Sequence, residues 1–134
     1  MKYIFIYFSI FLLSSYSHAI KLENLKVRPA LKTNYLTSFY LKIENNSDKL
    51  DYLLSVKIID HPSSLVQIRK TVIEKNIVRI IKIDRLIIPA HSTVTLDPIG
   101  IYLVATGPLY FETKPLKLEF RFENAGKIII ETNE

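Results

Sequence analysis

Residues 116–123 alternate without a break: Leu116, Leu118, Phe120 and Phe122 are apolar, and Lys117, Glu119, Arg121 and Glu123 between them are charged. A period of two sends successive side chains to opposite faces. The run therefore predicts a half-buried antiparallel strand and cannot lay an apolar stripe along a helix. Phe39, Leu41 and Ile43 alternate with Tyr40, Lys42 and Glu44 in the same way, and Val78, Arg79 and Ile80 continue the pattern until Ile80-Ile81 breaks it. From Ile20 onward no segment sustains helical periodicity. Between the alternating runs lie Asn45-Asn46-Ser47-Asp48, His61-Pro62-Ser63-Ser64, Glu74-Lys75-Asn76, Asp97-Pro98-Ile99-Gly100, Gly107-Pro108 and Asn124-Ala125-Gly126. Asn, Asp and Gly tolerate the left-handed backbone and Pro presets its own φ, so these clusters predict chain reversals. Strands recurring about every 8–12 residues indicate a sandwich or small barrel. No repeat, linker or low-complexity tract interrupts them, so the body of the chain reads as one all-β domain.

The first nineteen residues, MKYIFIYFSIFLLSSYSHA, have a different character. Lys2 precedes an apolar stretch from Tyr3 to Leu13, and the segment closes on Ser17-His18-Ala19. Small residues at the −3 and −1 positions are what a signal peptidase accepts. A membrane-spanning helix needs about 20 apolar residues, which this run does not supply. The segment predicts a signal peptide at 1–19, cleaved after Ala19, and a domain at 20–134. The expected location is the bacterial periplasm or the exterior, with no stable membrane insertion after cleavage. Met1 is the only methionine and there is no cysteine, so the domain after cleavage holds no sulfur. That excludes disulfides, zinc-thiolate sites, iron–sulfur clusters and a thiol nucleophile. With 49% hydrophobic and 23% charged residues, the composition is that of a folded chain.

Catalytic patterns are absent from the sequence. The three glycines form no phosphate-cradling GxGxxG or GxxxxGK, no GxSxG elbow supports a serine triad, and the acidic residues are scattered singly along the alternating runs. The expectation is a protein that is not an enzyme. Two histidines survive cleavage, His61 in DHPSS and His91 in PAHST; either is a weak candidate metal ligand, and an isolated loop histidine is ordinarily a solvated residue. The formal net charge is +5, and Arg69, Lys70, Arg79, Lys82 and Arg85 concentrate in the middle third. Such residues could serve an acidic partner, but charges along strands also suppress edge-to-edge aggregation, which is the simpler reading. Export argues against nucleic acid as a partner.

The segments KLENLKVRPA, SFYLKIENNSDKLDYLLSV, IPAHSTVTLDPIGIYLVATG and PLKLEFRFENAGKIII, in that order, resemble the PCuAC family of periplasmic copper chaperones across the whole domain. The resemblance implies a cupredoxin-like Greek-key β-sandwich or small barrel, and a protein that carries Cu(I) to cytochrome c oxidase during its assembly. The family's site is a histidine, ten residues, a methionine, twenty-one residues, then His-x-Met. Imidazole and thioether donors suit this soft ion. Laid on this chain without gaps, that spacing falls on Arg69, Ile80, Tyr102 and Val104. A guanidinium opposes a cation, two aliphatic side chains offer no donor, and a neutral phenol, with a pKa of about 10, is a poor Cu(I) ligand. The resemblance thus implies a copper-chaperone scaffold whose usual metal ligands are replaced. No cofactor is expected, and copper enters by family resemblance only. The expected partners are periplasmic proteins, oxidase-assembly factors among them. The alternative is a metal carrier using another site around His61 or His91.

Overall fold

The computed structural model describes residues 19–29, 36–107 and 115–132. Residues 1–18 of the predicted signal peptide at 1–19, and Pro108, lie outside the described residues. Among the described residues ten strands follow one another: β1 (Ile20–Arg28), β2 (Leu36–Asn45), β3 (Asp51–Ile58), β4 (Val66–Glu74), β5 (Ile77–Ile83), β6 (Leu86–Ile88), β7 (Ser92–Leu96), β8 (Ile101–Thr106), β9 (Lys117–Phe122) and β10 (Gly126–Glu131). They form two antiparallel sheets. The larger runs β1-β2-β8-β4-β5, with β7 also paired to β2, and the smaller runs β10-β9-β3-β6. No helix among the described residues is long and apolar enough to cross a membrane.

Alternation decides which face each strand buries. Leu118, Phe120 and Phe122 on β9 are at most 2% exposed, as their period of two requires, and Phe39, Leu41 and Ile43 on β2 are equally buried. In the larger sheet one cross-strand row, Val27–Phe39–Leu103–Ile68–Ile83, faces the smaller sheet and closes the core. Each fully buried Leu, Ile or Phe there contributes about 1.5–3 kcal/mol. The next row, Arg28–Ser38–Val104–Gln67, therefore lies on the outer face. A bulge between Leu53 and Ser55 on β3 changes the phase of alternation, so Leu53 is buried and the next buried residues are Val56 and Ile58.

Two buried polar residues tie the loops to this core. Asn45, 1% exposed, donates through Nδ2 to the carbonyls of Lys49 (2.9 Å) and Ile88 (3.1 Å) and accepts from the Ser47 N–H and hydroxyl through Oδ1. Asp51, 4% exposed, accepts from the Tyr52 N–H (2.7 Å), the Asn124 N–H (2.9 Å) and the Ala125 N–H (2.9 Å). It thereby fixes the β9–β10 turn, where Gly126 adopts a φ of 81°.

The structure corrects two expectations. Asp97-Pro98-Ile99-Gly100 is not a reversal: β7 and β8 both run antiparallel to β2 and pair with successive parts of it. Asp97 Oδ1 accepts from the N–H groups of Ile99 (3.0 Å) and Gly100 (2.8 Å), making a polar detour within one strand direction. Secondly, β5 is a strand, but only Ile83 at its end packs against the core; Ile77, Val78, Ile80 and Ile81 are 44–63% exposed, because among the described residues the smaller sheet does not extend over them. Its turn is the expected one, with Lys75 and Asn76 both at positive φ, as a two-residue hairpin requires. The basic residues of the middle third do not share one patch. Arg69 and Lys82 face outward as cross-strand partners, Lys70 and Arg79 occupy the opposite face of the β4–β5 hairpin, and Arg85 stacks 4.1 Å above the Tyr52 ring beside Glu123.

Candidate functional site

The detour at Asp97–Gly100 sits beside a cavity of about 320 Å³ on the outer face of the larger sheet. Strand pairing assembles its walls. Arg69 on β4 is the cross-strand partner of Tyr102 on β8, and Val104, two residues along β8, lies on the same face opposite Ser38 of β2. Ile80 on β5 pairs with Thr71, two residues from Arg69. Arg69, Ile80, Tyr102 and Val104 all line this one cavity. Val104 is only 2% exposed although it faces outward, whereas Ile80 is 58% exposed at the rim.

Arg28, Ser38 and Tyr40 complete the polar lining. Tyr40 stands on the polar side of a visible alternation, which places it on the outer face. Arg28 and Ser38 carried no signal of their own, because only the β1–β2–β8 register brings them to Val104. The Arg69 guanidinium donates through Nε (3.1 Å) and Nη2 (3.0 Å) to Gln67 Oε1, which fixes its plane. Among the described residues neither Arg28 nor Arg69 is ion-paired, and no carboxylate lines the cavity. Two cations, two phenols, one hydroxyl and aliphatic walls do not fit Cu(I), which takes imidazole and sulfur donors. They fit an anion.

The histidines are elsewhere. His91, at a φ of 50°, donates its backbone N–H to the Ser47 carbonyl, and its Nε2 lies 2.5 Å from Asp48 Oδ1. That places it beside the start of β3. His61 lies in the turn after the end of β3, where its N–H reaches the Ile58 carbonyl at 3.1 Å. Strand β3 separates the two by about 25 Å, from the rise of an extended strand. They share no site, and no group of three or more His, Asp or Glu among the described residues could hold a metal.

The fold is that of a PCuAC-like domain of the cupredoxin-like β-sandwich class. The copper-bound PCuAC domain from PmoF2 superposes with a TM-score of 0.68 at 24% identity, covering 87% of this chain and 93% of that one. The apo PCuAC domain from PmoF1 gives a TM-score of 0.66 at 24% identity over 87% and 94%, and the apo PmoF2 domain 0.66 at 20% over 85% and 87%. Residues 20–133 match the family described as "Putative lipoprotein LpqE-like", and the chain belongs to this LpqE-like family. No protein of curated function matches the sequence.

Proposed function

We propose that this is an exported, non-enzymatic binding protein that keeps the copper-chaperone scaffold, lacks the usual Cu(I) site, and acts through protein contacts in respiratory-oxidase assembly. One observation carries the reading: the four positions that match the family's copper ligands surround a single cavity, and their side chains are a guanidinium, a phenol and two aliphatic groups. Export is supported by the leader-like residues 1–19 and by the lipoprotein description of the family. The chain has no cysteine, so none of its residues can carry a thioether-linked lipid. Protein contact is supported by the β4–β5 hairpin, where Ile73 on β4 and Val78 and Ile80 on β5 share one face and are 58–68% exposed. Apolar side chains gathered in that way mark interaction surfaces.

A protein that works by contact and carries no copper holds its partner whether or not copper is supplied. In-cell crosslinking from copper-replete and copper-starved cultures is expected to recover the same oxidase-assembly component in comparable yield. A partner captured only in copper-replete cells would overturn the reading.

A further inference from the structure

We infer that the outer-face cavity is a carboxylate receptor for an acidic, partly apolar segment of a protein partner. The inference rests on the reading of this cavity as copper-free, since a bound cation would oppose the same two guanidinium groups. Arg28 and Arg69 line the cavity with no carboxylate among the described residues to neutralise them. Arginine presents a planar fork of donors that matches a carboxylate in bidentate geometry, and such charge-assisted bonds are the strong ones. Gln67 holds the Arg69 plane through Nε and Nη2, and Nη1 has no hydrogen bond among the described residues. Ser38, Tyr40 and Tyr102 add hydroxyl donors on the same wall.

The surface around the cavity selects a segment over a free ion. Ile80 forms its rim, and Val78 and Ile73 continue from it on the same face of the hairpin, 63% and 68% exposed. A small inorganic anion would leave this apolar strip uncovered. An extended segment places its acid between the arginines and its apolar neighbours along Ile80, Val78 and Ile73. The protein's positive net charge favours the approach of an acidic partner.

The test is an NMR titration of the ¹⁵N-labelled exported protein in a metal chelator. The probes are acetyl-Val-Glu-Val-Val-amide, its Gln counterpart, the Gln peptide with a free C-terminal acid, and inorganic phosphate. The Glu peptide is expected to bind saturably, shifting amides of Arg69, Tyr102 and Val104, and to bind about tenfold or more tightly than the Gln amide. Arg69→Gln and Arg28→Gln are each expected to cost about tenfold in the affinity for the Glu peptide. Arg28→Lys, which keeps the charge at an exposed strand end but loses the fork, is expected to fall between wild type and Arg28→Gln. If the free-acid peptide binds as tightly as the Glu peptide, the partner's chain end is the source of the carboxylate; if it does not, a side chain is. Equal affinity for the Glu and Gln amides, binding of phosphate alone, or an unchanged affinity in a folded Arg28→Gln protein would overturn the inference. The two readings fail separately. Displacement of the Glu peptide by Cu(I) would overturn the copper-free reading, whereas no peptide binding together with no copper binding would overturn the receptor alone.

Discussion

The combined change Arg69→His, Ile80→Met, Tyr102→His and Val104→Met is expected to give this protein Cu(I) binding with a submicromolar Kd, or about −8 kcal/mol and better. Residues 69 and 102 are direct cross-strand partners, whose Cβ atoms in antiparallel sheets lie about 4.5–5.5 Å apart, so two imidazoles can converge on one ion. Position 104 follows on the same face of β8, and position 80 stands across the mouth of the same cavity. The change removes one guanidinium and adds the soft donors that Cu(I) prefers. Methionine at the buried position 104 adds bulk to a closely packed place and costs about 1–3 kcal/mol of stability. Copper should return part of that cost by raising the Tm, because it binds only the folded form. Chelator competition under reducing conditions reads the affinity, and a folded quadruple variant that binds no copper would show that the residues are in the wrong register for a site.

Among the buried polar residues, Asp51→Ala is the substitution with the largest expected effect on stability. Its carboxylate is the acceptor for three backbone N–H groups, two of them 73 and 74 residues away in sequence. Alanine leaves part-buried amides at the β9–β10 turn without partners, at about 1–3 kcal/mol for each group that water does not reach. The total expected is about 3 kcal/mol, or roughly 10 °C in Tm for a domain of this size. Asp51→Asn keeps one acceptor oxygen, so it retains the Tyr52 and Asn124 bonds and loses the one to Ala125; about 1 kcal/mol is expected. Equal losses in the two variants, measured by thermal and urea unfolding, would contradict this division of the carboxylate's work.

Much of the architecture was legible because strict alternation leaves a strand only one way to bury itself. Leu116 to Phe122 and Phe39 to Ile43 turn their apolar residues inward as their period demands. Alternation does not say whether a second sheet is there to receive a face, and among the described residues the smaller sheet does not extend over most of the apolar β5. Turn chemistry at Asp97–Gly100 reports that the backbone leaves the ladder but not where it goes next, and here it continues in the same direction. Asp51 gives no local signal at all, since its essential partners are far away in the chain. Of the cavity, the spacing of a family pattern located four residues, and the β2–β8–β4–β5 pairing gathers them. Arg28 and Ser38 stayed invisible because register, not sequence proximity, brings β1 and β2 to that wall. That β3 stands between His61 and His91 is likewise not legible from their spacing in the sequence.

The central claim is that the scaffold persists without its Cu(I) site, and one titration tests it directly. Exported wild-type protein is competed against a calibrated Cu(I) chelator under reducing conditions. The expected result is no submicromolar binding, because the cavity offers Arg28, Arg69, Tyr40 and Tyr102 but neither imidazole nor sulfur. Stoichiometric Cu(I) binding at submicromolar Kd that is lost on substitution of residues lining this cavity would contradict it.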